Sequence, residues 1–318
     1  MKSLLFFLLF AYALIGQDIT PSAVFSVRGY VNDFVVSDGK LFVATDRGTV
    51  DIFDLKKMAL VYQIVLNPTE DGWGERVPVR ILSVDVQDRR ILVTGIVKDG
   101  FRAVWLFENL RLKPIVDAKE KLMLKEAHFA DDGHIVMGTF SSELIRYSLQ
   151  ERAPLYRRQL NDTAIGDMAM SLDRRFVVTS DESGAVRVVC AKTGKVVREL
   201  PSKHLDNVFH VAAGKDVIVT GGNDRRVCIF GKKRNYVIRT DFPVYCVGVS
   251  PEGKTGVYLK GDDQILQLFD IETGKETDRL VGHKALVNQI RFLDETTLLS
   301  SEKGPYVYLW KIKSANPR

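Results

Sequence analysis

The stretch Asp262-Asp263-Gln264-Ile265-Leu266-Gln267-Leu268-Phe269-Asp270 decides the fold, because the chain repeats it. It is a polar turn followed by a hydrophobic run of strand type that ends on a large apolar residue. The same order returns as Asp46-Arg47-Gly48-Thr49-Val50-Asp51-Ile52-Phe53-Asp54 and as Ser183-Gly184-Ala185-Val186-Arg187-Val188-Val189. It returns again as Asn223-Asp224-Arg225-Arg226-Val227-Cys228-Ile229-Phe230, and weaker copies end at Phe107, Tyr147 and Trp310. The seven anchors Phe53, Phe107, Tyr147, Val189, Phe230, Phe269 and Trp310 lie 54, 40, 42, 41, 39 and 41 residues apart. Around them, β-rich runs alternate with Gly, Asp, Asn and Ser turns every 8–12 residues or so, and long helical periodicity is missing. A period near 40 with four strands per unit is the mark of a propeller. The expected fold is therefore all-β: a seven-bladed β-propeller with four antiparallel strands per blade.

The one long interval has a visible cause. Residues 67–77 (NPTEDGWGERV) insert between the last strand of unit one and the first of unit two. Unit one reads as strands over 31–36, 40–45, 49–54 and 59–66, in the order a, b, c, d from the axis outward. The last unit reads as a (286–292), b (297–301) and c (306–312) and then lacks its d strand. An unpaired edge there would leave the ring open. Residues 22–28 (SAVFSVR) are strand-like and have no unit of their own, so they are expected to pair with 306–312 and close the ring. Residues 17–318 then form a single domain.

With these units in place, the chain resembles the WD-repeat β-propeller family over nearly all of its length beyond the first residues. Gly282-His283 stands where that family has its Gly-His pair, and Leu309-Trp310-Lys311 where it has Trp-Asp. Asp54 and Asp270 take the Asp place after an aromatic, with Phe instead of Trp. Gly133-His134 is a second Gly-His pair but falls out of register, and no unit carries both signatures. The family's Asp–His–Ser–Trp hydrogen-bond network is therefore expected to be incomplete in every blade. The resemblance implies that His283 bonds a turn backbone.

The first residues read as a targeting signal. Lys2 precedes Leu4–Gly16 (LLFFLLFAYALIG), 13 residues without charge. A spanning helix needs about 20 apolar residues, so this length suits a secretory h-region. Residues 1–16 are expected to be a signal peptide and the mature protein periplasmic, which makes nucleic acid an unexpected partner. Cys190, Cys228 and Cys246 are too few for a disulfide framework. All three sit in apolar strand runs and are expected to be buried, inert thiols.

The 318 residues, 46% hydrophobic and 27% charged, describe a globular chain, and a net charge of +5 is mild. No GxSxG, GxxxxGK[ST] or HExxH motif is present. The five histidines are scattered over different units and lack ligand spacing. The expectation is a non-enzyme with no catalytic residues, no metal and no cofactor. The alternative is a propeller enzyme or small-ligand binder that uses the central channel, where every blade contributes side chains.

Loop positions carry the binding candidates. Trp73 lies between Gly72 and Gly74 in the insertion, and Tyr30 and Phe101 lie in other loops of the same face. Trp is enriched at binding hot spots. On the opposite face the c–d turns lean basic, with Lys232, Lys233 and Arg234 densest. That face could steer a charged partner or touch an anionic membrane surface. The length, the short leader and a single degenerate propeller without catalytic motifs also resemble periplasmic accessory proteins of the nitrate reductase system. The resemblance implies a protein-interaction scaffold, with nitrate reductase subunits or maturation factors as partners.

Overall fold

The computed structural model describes residues 16–201 and 203–313. The signal-peptide expectation falls on residues 1–16, of which 1–15 lie outside the described residues. Seven sheets follow one another round the ring: each has four antiparallel strands, consecutive in sequence in six of them, while the seventh has three consecutive strands and takes its fourth from Ala23–Ser26. They cover 31–65, 80–116, 124–159, 165–199, 208–239, 247–280 and 287–311. The strands of blade one are Val31–Ser37, Lys40–Thr45, Thr49–Asp54 and Ala59–Val65, within a residue of the sequence reading.

Strands b and c are apolar on both faces because each sheet is covered on both sides by its neighbours. The core accordingly fills the slots between blades. Ile52 and Val50 of blade one pack with Val93 and Ile81 of blade two. Leu92 and Val104 of blade two pack with Met137 and Ile145 of blade three. The outer d strands, covered on fewer sides, are polar or exposed: Val196–Glu199 is exposed throughout.

The ring closes as the sequence implies. Ala23–Ser26 supplies the missing outer strand of blade seven, antiparallel to Tyr306–Lys311, with Ala23 opposite Leu309 and Ser26 opposite Tyr306. Phe25 enters the core beside Leu299 and Val307, and meets Phe53 of blade one edge-on at 5.3 Å. A second attachment was not legible in the sequence. Asp18–Ile19 runs parallel to Glu276–Leu280 as a fifth strand on blade six, held by Asp18 and Arg279 at 2.7 Å. Two residues are too short to show any periodicity.

The expectation for His283 needs correction. His283 does not bond a turn backbone: its Nε2 lies 2.8 Å from Ser300 Oγ, and Trp310 Nε1 donates to the same oxygen at 2.7 Å. Ser300 is on the adjacent strand b, within reach of both rings, so a side-chain hydroxyl takes the bond. The network lacks its acid, because His283 Nδ1 has no partner among the described residues.

Candidate functional site

Two places gather chemistry: the central channel and the loops of one face. The channel is about 680 Å3 and is walled by the a strands. Each a strand is the inner edge of its sheet, so half of its backbone groups have no ladder partner. The sequence answers this with a polar residue two places after the first apolar residue of strand a. These residues are Asp33, Ser83, Glu126, Asp167, His210 and Gln289. In all six strands the register breaks between those two places; in blade two Gly95 pairs with Ile81 and Thr94 with Ser83, which leaves Leu82 unpaired. Such a bulge re-aims the side chain.

The re-aimed groups bind the next blade round the ring. Val84 N donates to Asp33 Oδ2 at 2.8 Å and Met168 N to Glu126 Oε1 at 3.2 Å. Val211 N donates to Asp167 Oδ2 at 2.8 Å and Phe34 N to Gln289 Oε1 at 2.9 Å. Ala127 N reaches Ser83 Oγ at 3.3 Å. Gly166 sits where an added Cβ would strike the carbonyl of Val208, so this contact between blades four and five requires glycine. The channel's acids are thus first of all a girdle that fastens blade to blade.

The densest titratable cluster is part of the same girdle. Arg174 grips Asp85 with two bonds, 2.6 and 2.9 Å. Burial pushes the Asp85 carboxyl up, but the Arg174 guanidinium, with His128 and the Phe129 N–H, outweighs it and holds the pKa below the usual range. Glu126 lies 3.0 Å from His128. Burial, reinforced by the charge of Asp167, raises Glu126. Burial opposes protonation of His128, yet Glu126 and Asp85 together raise its pKa. His210 breaks the pattern. Its Nδ1 is buried without a hydrogen-bond partner among the described residues, 4.0 Å from Asp167, and Arg291 Nε, which lines the same channel, is likewise unbonded. Burial lowers the His210 pKa.

The loop face is built differently. Thr69–Glu70 and Arg76–Val77 form a small hairpin from the inserted segment. Asp71 Oδ1 accepts from Trp73 N and Glu75 N, both at 2.9 Å, which fixes the tip. Gly74 takes a left-handed φ of 81°, available to glycine at no steric cost. Glu70 pairs with Lys98 at 3.1 Å and ties the hairpin to the b–c turn of blade two. Trp73 is 92% exposed at this braced tip. Tyr30 is 60% exposed, with its backbone N held by Asp46 Oδ1 at 2.8 Å, while Phe101 is half-buried. All three belong to top-face connections of blades one and two.

The basic residues lie apart from them, in the c–d turn of blade five on the opposite face. Lys232 pairs with Asp216 at 3.6 Å and Lys233 with Glu272 at 2.6 Å. Arg234 stacks on Tyr236 at 4.4 Å and donates to the Glu272 carbonyl. Acids from neighbouring turns therefore meet much of this positive charge. Of the cysteines, Cys228 and Cys246 are buried; burial pushes Cys228 up to about 12 and Cys246 higher still. Cys190 departs from the expectation: it is half-buried, and the Thr193 hydroxyl lowers its pKa.

Neither known protein families nor curated proteins yield a match to this chain.

Proposed function

We propose that this protein is a non-catalytic interaction scaffold whose docking point is the Trp73 hairpin. One observation carries the reading: a tryptophan 92% exposed on a tip whose backbone is fixed by Asp71 and braced by the Glu70–Lys98 pair. A pre-ordered loop loses little entropy on binding. Burying the indole would contribute on the order of 4–6 kcal/mol from its area alone. Tyr30 and Phe101 extend the contact, and the Lys232–Arg234 turn offers a weaker, salt-dependent contact to an acidic protein surface. We place the chain in the periplasm, in a role like that of NapL beside the periplasmic nitrate reductase. The leader, the length and the motif-poor propeller support that assignment.

The test is binding of the purified protein to nitrate reductase subunits and to their maturation factors. Trp73→Ala should weaken the complex at least about 30-fold and leave the melting temperature unchanged. Wild-type affinity in that variant would overturn the docking point, and absence of binding to all of these proteins would overturn the nitrate reductase assignment.

A second reading has its own observation. The channel's carboxylates are occupied by the girdle, whereas Arg291 Nε and His210 Nδ1 make no hydrogen bond among the described residues, although Arg291 lies 3.6 Å from Asp33 and His210 4.0 Å from Asp167. A small acceptor-rich anion in the channel would supply acceptors to these two groups. Acetate or inorganic phosphate at about 10 mM should then raise the melting temperature of the wild type and not of Arg291→Gln. Identical curves with and without the anions would remove this reading.

A further inference from the structure

The outer edge of a blade is a row of unpaired backbone groups, and proteins guard such edges with charge, proline, short length or a covering segment. Six of the seven edges here are guarded. Blade two carries Arg111, Lys113 and Pro114 in its outer strand, and blade three Pro154, Arg157 and Arg158. Blade four ends on Arg198 and Glu199 in a strand of four residues, and blade five on Arg239. Blade six is covered by Asp18–Ile19, and blade seven has only the four residues Ala23–Ser26.

Blade one has no such guard. Its outer strand Ala59–Val65 runs seven residues with no charge and no proline. Leu60, Val61, Tyr62 and Val65 are all exposed, Val65 to 62%. The uncharged run is framed by bases, Lys56 and Lys57, at its start and by the acid Asp71 beyond its end, Glu70 being paired with Lys98. That frame complements itself when two copies run antiparallel: the basic end of each approaches the acidic end of the other. The molecule also shows that an outer strand of this ring accepts an added strand, as Asp18–Ile19 does on blade six.

We infer that Ala59–Val65 is the seam of a two-fold dimer, in which the outer strand of blade one pairs antiparallel with the same strand of a second copy. The two blades then form one continuous eight-stranded sheet. The contact is isologous and closes after two copies. Edge hydrogen bonds give it direction, and the exposed Leu60, Val61 and Val65 side chains give it apolar area. This inference does not rest on the Trp73 reading.

The experiment is sedimentation equilibrium of the purified protein from low micromolar concentration upward, paired with amide exchange. A dimer is expected, with concentration-dependent protection of amides in Ala59–Val65. Val61→Lys and Val65→Lys replace exposed side chains, so the fold should melt as before. Each should raise the dimer dissociation constant at least about 30-fold, because pairing would bury a charge. A wild type that stays monomeric at the highest concentration overturns the inference. So does a dimer that survives both lysines, or one without protection in Ala59–Val65. A monomer that gains protection there only on adding a nitrate reductase subunit assigns the edge to a different chain, and also overturns it. Trp73→Ala should leave dimerisation untouched, so the two readings fail separately.

Discussion

Blades five and seven place a histidine at the same point, and each holds it with half of one network. In blade five His204 Nε2 lies 2.8 Å from Thr220 Oγ1, and Nδ1 lies 3.0 Å from Asp224 Oδ1. Asp224 also accepts from Leu205 N at 2.8 Å. The acid is present and the tryptophan is not: Phe230 stands opposite Ile218 as Trp310 stands opposite Leu298. Blade seven has the reverse. His283 and Trp310 share Ser300, but the nearby acid is Glu302, which accepts from Lys284 N and Ala285 N instead. Glu302 occupies the register place of Gly222 in blade five. A Cβ at Gly222 would lie 2.9 Å from His204 Nδ1, so blade five needs glycine there to admit its acid two residues later. The difference teaches that the two halves are separable: an acid can orient the imidazole without an indole, and an indole can anchor it without an acid.

The comparison can be broken most severely at the ring closure, which blade seven needs and blade five does not. Deleting residues 17–28 strips blade seven of its outer strand and the core of Phe25 and Val27. The lost burial and strand hydrogen bonds amount to about 5 kcal/mol or more. The melting temperature should fall by at least about 10 °C by calorimetry. A truncated chain that melts like the full one would show that blade seven is stable without that strand.

Acid sharpens the comparison next. Burial pushes the His283 pKa down to about 4 with no carboxylate to oppose it. In the unfolded chain this imidazole takes up its proton near pH 6.5. Its contribution to stability is therefore complete above pH 6.5 and is lost as pH falls toward 4, by up to about 3 kcal/mol. For His204 burial also lowers the pKa, and Asp224 offsets part of that lowering. Denaturant titrations between pH 7 and pH 4.5 should show a shallower loss in His283→Gln than in wild type. A similar His204→Gln variant should change the slope less, and equal changes would erase the distinction.

Trp310→Phe converts blade seven toward blade five. It removes the indole N–H from Ser300 and leaves space in a fully buried site, at a cost of about 2 kcal/mol. A shift of the urea midpoint at unchanged slope would measure it. The smallest effect is Gly222→Ala, where the methyl group crowds His204 and the Asn207 carbonyl. About 1 kcal/mol of destabilisation is expected from thermal melts, and Asp224→Asn in the same chain should add less than it does alone.

Much of this was legible in the residues themselves. Aromatic-ended strands recurring near every 40 residues gave the blade count, and the missing fourth strand of the last unit pointed to SAVFSVR. The insertion NPTEDGWGERV stood out as a break in the period, and Trp73 within it as a residue with nothing apolar beside it. The girdle was not legible. Asp33, Glu126, Asp167 and Gln289 look like ordinary polar residues of half-buried strands, and their acceptors are needed only because a neighbouring inner edge lies alongside. The Val-x-Asp, Ile-x-Ser, Leu-x-Glu and Ile-x-Asp spacing at the start of units one to four was the available signal.

The sequence by itself determined the repeating strand pattern, the number of strands per blade, the number of blades and the segment that closes the ring. Those follow from local alternation and from period, which need no partner in space. Only the tertiary structure decided which polar groups are already satisfied, that His204 finds Asp224 while His283 finds none, and which outer edge is left open. Each of these depends on what a neighbouring blade brings within about 3 Å, and that distance is set by the packing of the ring, not by the order of residues along it.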